Sequence, residues 1–313
     1  MAVYLLRRIF ATVPVMGVVA LFVFALLHLA PGDPAALIAG DLATAQDVER
    51  IREQLGLNAP LHVQFVTWVG QLLRGDLGVS VFSNVPVTRL IRQRAEPTVA
   101  LTVATLIMAV SLAVPMGVLA AWKAGTWIDQ VIMLLAVLGF SCPVFVLGYL
   151  LIYGGAVQLR WLPVQGYVPI AQGFGPFLRS ITLPTLALGI VYIALIARMT
   201  RATVLEVLSE DYIRTAHAKG LAAVRVLVGH ALKNAAVPIA TTIGVGVALL
   251  IGGAVITESV FAIPGIGRLT VDAILRRDYP IIQGVVLVFS AVYVLINLVV
   301  DLLYTMLDPR IRY

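Results

Sequence analysis

The sequence predicts an all-α integral membrane protein with about six transmembrane helices and a helical segment between the first two spans. Three observations carry this. Of 313 residues, 60% are hydrophobic and only 12% charged, whereas a soluble domain is about a quarter charged. The apolar residues gather in runs near the length of roughly 20 residues that a helix needs to cross the hydrocarbon. The short segments between the runs are unequally basic, which orients a membrane protein.

The runs fall at 9–29, 98–121, 131–153, 181–197, 236–257 and 281–303. The fourth is near the lower length limit and is expected to continue as a helix into the following loop. Arg7 and Arg8 precede the first run, whose apolar stretch exceeds that of a signal peptide and is followed by no Ala-x-Ala site. An uncleaved anchor with a cytoplasmic N-terminus is therefore expected, and six spans return the C-terminus to the same side. The predicted inner loops hold Lys123, Arg198, Arg201, Arg214, Lys219, Arg225, Lys233, Arg310 and Arg312, against Arg160, Arg179, Arg268, Arg276 and Arg277 in the short outer ones. The net charge of +6 is thus dispersed between spans, not gathered on one face as nucleic-acid binding requires. The single cysteine, Cys142, lies in an apolar run and permits no intrachain disulfide.

The long segment 30–97 has a pattern of its own. Pro31, Gly32 and Pro34 end the first helix. Thr44 with Asp47 forms a capping box before Val48, Ile51 and Leu55, and Gly56 stops that run. Pro60 opens a second helix, striped by Leu61, Phe65, Trp68 and Leu72 and closed by Gly75. A third amphipathic piece spans 86–94. These pieces either lie on the outer membrane surface or cap a pore.

Two stretches predict irregular backbone. Pro143, two residues after Ser141, removes a helical hydrogen bond and predicts a kink in the third span. Glu258 to Arg268, with Pro264, Gly265 and Gly267, predicts an irregular turn at the outer surface.

The loop from Arg198 to Pro238 is the most informative. Ser209 is a suitable N-cap, with Glu210 and Asp211 in the first turn. Lys219 and Gly220 supply the last turn and the left-handed cap. A second helix from Ala222 would place Val224, Leu227, Val228 and Leu232 on its apolar face. Two short helices meeting at a glycine corner is the physical product. Taken alone, the segment is equally an ordinary basic loop. The short loop around Gly125 offers no comparable helix corner, so Gly125→Ala is expected to be much milder than Gly220→Val.

Two other functional classes fit poorly. An ion-coupled carrier needs ionisable groups well inside the membrane, and only His28, Glu258 and Asp301 come close, all near span ends. An intramembrane serine protease on Ser141 needs a histidine within reach, and only His28 lies in or beside a span. None of the lysines, Lys123, Lys219 and Lys233, follows a glycine, so the chain has no Gly-Lys-Ser/Thr phosphate loop.

The corner resembles the loop by which ABC importer permeases grip their ATPase subunits. That family's pattern is Glu-Ala-Ala, three residues, then Gly. Here Arg214, Thr215 and Ala216 are followed by Gly220, so the second Ala and the Gly match while the Glu and first Ala do not. The run Asp211, Tyr212, Ile213, Arg214, Thr215, Ala216, His217, Ala218, Lys219, Gly220, Leu221 is similar to the dipeptide, oligopeptide and nickel branch, with His217 where arginine is more usual. Ala30-Pro-Gly-Asp-Pro34, Leu55-Gly-Leu57, Gly75-Asp-Leu-Gly-Val-Ser80, Ser141-Cys-Pro-Val-Phe145, Leu162-Pro-Val-Gln-Gly-Tyr167, the stretch from Glu258 to Arg268, Asp301-Leu-Leu-Tyr304 and Leu307-Asp-Pro-Arg-Ile-Arg312 fit the same branch in order.

The resemblance implies a type I ABC importer permease of the bacterial inner membrane. Residues 1–95 would hold the first span and external segment, 96–305 the permease core, and 306–313 a cytoplasmic tail. It further implies a second permease, two cytoplasmic ATP-binding subunits and an external substrate-binding protein as partners. No cofactor would be held by this chain, ATP and Mg being used by the partners. The coupling loop would be Asp211 to Leu221. Ser141 and Pro143 would lie along the translocation path, and Glu258, Pro264, Gly265 and Gly267 at the external turn. Substrates in the branch are mainly di- and oligopeptides, with nickel chelates and glutathione as variations.

Overall fold

The structure, a computed structural model, describes residues 2–29, 33–39, 43–54 and 56–307. The expected helix stop at Pro31 and Gly32, the stripe residue Leu55 and the tail bearing Arg310 and Arg312 lie outside the described residues. The helices run α1 Ala2–Leu29, α2 Pro34–Ala39, α3 Ala45–Gln54, α4 Leu61–Leu73, α5 Val87–Trp122, α6 Trp127–Ser141, α7 Val144–Leu151, α8 Phe174–Leu208, α9 Asp211–Ala218, α10 Ala223–Val226, α11 Lys233–Val260, α12 Ile266–Arg276 and α13 Tyr279–Leu307. Wider π turns extend α7 over Ile152–Gln158 and join α10 to α11 over Leu227–Leu232.

Among the described residues, five helical stretches are long and apolar enough to cross a membrane, and there are six if α6 and the extended α7, bent at a break, are counted as one span. Each predicted span therefore has a helical counterpart, with four differences. The 86–94 piece is not separate but forms the first turns of α5, a 36-residue helix. No glycine C-cap follows Arg94, and Pro97 is accommodated inside the helix. The third span is broken rather than kinked, its halves meeting at 102°. Cys142 is extended at φ −88°, ψ 123°, because the residue before proline is pushed out of the helical region. Pro143 therefore ends one helix and opens the next. The fourth span continues into the following loop as expected but also begins earlier, at Phe174, for 35 residues in all. Finally, Glu258 belongs to α11, only 261–265 are irregular, and α12 follows directly.

The chain divides into two compact units. In the unit formed by Pro97–Gly267 and Ile296–Tyr313, α8 is central. Of its most apolar window 67% is buried, against 28% or less in the other four long helices. Its Leu188, Ile196 and Ala197 pack in one core with Leu101, Leu250 and Phe261. Small residues allow this close packing. A Cβ on Gly117 would sit 2.6 Å from the Ala197 carbonyl oxygen, and one on Gly139 would sit 2.9 Å from Ile190 Cγ2. Membrane helices use such small-residue notches because lipid supplies no hydrophobic drive between helices. Leu134, Leu135, Val137 and Leu138 of α6 remain exposed, as lipid-facing side chains do.

The other unit comprises Met1–Glu96 and Arg268–Leu295. The capping box forms as expected, with the Asp47 N–H donating to Thr44 Oγ1 at 3.3 Å and the Thr44 N–H to Asp47 Oδ2 at 3.1 Å. Gly56 and Gly75 take left-handed φ of 65° and 79° and end α3 and α4. Phe65 and Trp68 of α4 pack on Phe24 of α1, with ring centroids 5.2 and 5.7 Å away. Leu61, at the head of that stripe, stays exposed. The loop before α5 is pinned by Ser80 Oγ, which donates to buried Asp278 Oδ2 at 2.5 Å.

Candidate functional site

Helix α8 leads straight into the corner. Ser209 belongs to its C-terminus, because the hydroxyl donates to the Glu206 carbonyl at 2.7 Å. The expected N-cap role therefore passes to Glu210, which has extended backbone and makes no side-chain cap bond. Its carbonyl accepts the N–H groups of Ile213 and Arg214 at 3.1 and 3.4 Å. Asp211 in the first turn meets the positive end of the helix.

Helix α9 buries Ile213 and Ala216 against Val226 and Ala231, with Val207, Leu208 and Leu221 around them. The remaining predicted site residues, Asp211, Tyr212, Arg214, Thr215, Lys219 and Gly220, are exposed. Arg214 and Asp211 pair at 3.3 Å, but both are open to solvent and such a pair adds little. The Tyr212 hydroxyl accepts from Asn234 Nδ2 at 3.0 Å, tying α9 to α11.

Past Lys219 the chain turns through Gly220 at φ +78°. The Gly220 N–H donates to the His217 carbonyl at 2.9 Å, and the Leu221 N–H to the Ala216 carbonyl at 3.3 Å. These paired bonds, with Leu221 packed beside Ala216, make a Schellman cap. No other heavy atom would approach a Gly220 Cβ within 4 Å. Backbone conformation, rather than space, therefore demands glycine.

The returning helix differs from its expected stripe. Leu227 is buried and Leu232 partly so, while Val224 and Val228 are 59% and 55% exposed. The π turn from Leu227 changes the residue spacing and brings Val226 and Ala231 inward instead.

Sequence reasoning missed a second polar site. Arg201 of α8 meets Asp129, in the first turn of α6, through Nε–Oδ1 at 2.5 Å and Nη2–Oδ2 at 2.7 Å. Asp129 is buried, and its Oδ2 also accepts the Gly125 N–H at 3.0 Å. Gly125 itself is left-handed at φ +78°, so its loop does contain a glycine-dependent turn. An acid at the edge of an apolar run signals Asp129, but nothing local joins it to a base 72 residues away.

The predicted turn residues assemble around a carboxylate. Glu258 is fully buried and accepts from the Thr98 hydroxyl at 2.6 Å. The Ile266 N–H donates to that same hydroxyl at 2.8 Å. A Cβ on Gly265 would overlap the Glu258 carboxyl, and one on Gly267 would lie 2.6 Å from Val255 Cα. Ser141 closes α6 beside the Cys142–Pro143 break. His28, on which a protease reading depends, instead places Nε2 3.1 Å from Gln64 Oε1 and Nδ1 3.2 Å from the Phe24 carbonyl oxygen.

Broken and long apolar helices, with a capped corner between two of them, define a polytopic membrane protein. The chain matches the family of binding-protein-dependent transport system inner membrane components over residues 113–313, and that family's N-terminal membrane component over 1–113. It is 58% identical over 313 residues to a probable peptide ABC transporter permease protein, y4tP, of Sinorhizobium fredii, covering 100% of both chains. It is 45% identical over 310 residues to the glutathione transport system permease protein GsiC of Salmonella choleraesuis, covering 99% of each. Its fold is similar to the methionine ABC transporter MetNI in an inward-facing crystal form, at TM-score 0.59 and 17% identity, covering 70% of this chain and 96% of that one. The chain belongs to the binding-protein-dependent transport system inner membrane component family and is a permease subunit of an ABC importer.

Proposed function

We propose that this chain forms part of the translocation path for short peptides, in a transporter energised by separate ATP-binding subunits. The capped corner carries this reading. It is a largely exposed helix with a buried apolar heel, joined by two residues to α8 and, through the Gly220 turn, α10 and the π turn, to α11. Such an element converts a push from a soluble partner into movement of spans. Asp211 to Leu221 is the coupling loop in this reading, with Ser141 and Pro143 on the path and Glu258, Pro264, Gly265 and Gly267 at the outer turn. The partners are a second permease, two cytoplasmic ATP-binding subunits that use ATP and Mg, and an external binding protein. The transport core is assigned to 96–305, with an external segment before it and a cytoplasmic tail at 306–313.

The peptide assignment is supported by the full-length relative named for peptides, and the relative named for glutathione, itself a tripeptide, keeps a modified peptide within the same chemistry. Reconstituted alone, the chain is expected to show background ATPase activity only. With the two ATP-binding subunits, second permease and binding protein it is expected to concentrate radiolabelled trialanine in an ATP-dependent way. Uptake of glutathione but not trialanine moves the substrate within the class; ATP turnover by the pure lone chain refutes the division of labour. Single cysteines at Lys219 and Thr126 are expected to react with an impermeant thiol reagent only from the inner face, and those at Asn58 and Gln172 only from the outer. Reversal of either pair refutes the proposed orientation.

A further inference from the structure

We infer that the Asp129–Arg201 clasp is a positioning device that makes the start of α6 and the end of α8 move as one body, carrying displacement of the corner to the broken third span. The inference rests on the coupling role proposed for Asp211 to Leu221. Arg201 and Leu208 lie seven residues apart on one unbroken helix, about 10 Å along its axis. Whatever shifts α9 therefore shifts Arg201.

The geometry of the clasp suits transmission. A guanidinium meeting a carboxylate through two parallel bonds resists sliding and rotation, where a single ammonium contact would pivot. The Asp129 carboxyl is held from its other side by the Gly125 N–H, so it is fixed to both the loop and the first turn of α6. A second fastener lies further along the same two helices, where Gly139 admits Ile190. Asp129 to Gly139 is about 15 Å and Arg201 to Ile190 about 16 Å along their axes, so the fasteners match as on an antiparallel pair. Beyond Gly139 the break at Cys142 and Pro143 bends the chain by 102°. Past that break the chain leaves the line of α6, and α7 packs on both α8 and α11. Burial of Asp129 sharpens the dependence, since without Arg201 its carboxylate would be left buried without its partner charge.

The test uses the complete transporter in nanodiscs, with spin labels on cysteines replacing Thr126 and Glu206, Cys142 being replaced by alanine. With the clasp intact, one narrow distance is expected that does not change when the ATP-binding subunits are trapped with Mg-ATP and vanadate. In Asp129→Asn and Arg201→Gln, trapping is expected to produce a second, longer distance, while stimulation of ATPase activity by the binding protein is lost. The double variant is expected to behave like either single one, because both act through one contact. Arg201→Lys, which keeps the charge but not the fork, is expected to show an intermediate fraction of the second distance. An unchanged narrow distance in folded Arg201→Gln overturns the inference, as does an additive double variant. Full retention of the ATP-binding subunits by Gly220→Val overturns the corner reading instead, so the two failures are separable.

Discussion

The Thr98 hydroxyl donates to Glu258 Oε1 at 2.6 Å, across 160 residues of sequence. Because Thr98 Oγ1 also accepts the Ile266 N–H, one side chain of α5 holds the end of α11 and the start of α12. Thr98→Val keeps the shape and removes the hydroxyl. It is expected to destabilise the chain by about 1–3 kcal/mol, read as a lowered melting temperature in detergent. Thr98→Ser is expected to retain most of the stability. Equal melting of Thr98→Val and the parent contradicts the role of this contact.

At the corner, a side chain in the left-handed region costs about 1–2 kcal/mol more than glycine. Gly220→Asn is expected to be mild, Gly220→Ala intermediate, and Gly220→Val worst because its χ1 is also stiff. Retention of the ATP-binding subunits on co-purification is expected to follow that order at unchanged membrane levels. Gly125→Ala, expected from the sequence to be the milder change, is a poor control, since Gly125 is left-handed and its N–H donates to Asp129. Gly252→Ala serves instead, because no heavy atom lies within 4 Å of its added Cβ. A flat series at Gly220 contradicts the capped-corner account.

The notch between α5 and α8 tests close packing. A Cβ on Gly117 would lie 2.6 Å from both the Ala197 carbonyl oxygen and Thr200 Cβ, groups fixed to the backbone of α8. Gly117→Ala is therefore expected to cost about 1–3 kcal/mol by overpacking. Gly252→Ala is expected to be neutral or slightly stabilising, since helical glycine is itself unfavourable. The same melting measurement distinguishes them, and equal stability of the two variants contradicts the notch.

The capping box of α3 predicts a pH dependence. The Thr44 hydroxyl, and after it the Thr44 N–H, hold the Asp47 carboxyl below its usual range. A depressed carboxyl stabilises the folded state above its unfolded pKa, and that contribution is lost as pH falls through the folded value. Thr44→Val removes the larger cause and is expected to raise the Asp47 midpoint toward that of an ordinary aspartate. The titration is read from the Asp47 carboxyl carbon by NMR in nanodiscs. An unmoved midpoint contradicts the box.

What the sequence by itself determined is local. Runs of apolar residues specify helices of spanning length whatever they pack against, because lipid forces the backbone to bond within the helix. The caps at Thr44, Gly56 and Gly220 were equally legible, since a capping box or left-handed glycine is complete within six residues. The tertiary structure decided everything that depends on distant partners. It set the third span's bend at 102° and turned Glu258 from a residue of an expected outer turn into a fully buried one. It also joined Asp129 to Arg201. Neither residue carries a local pattern naming its partner, and burial, which makes the pairing obligatory, exists only once α6 and α8 have packed together.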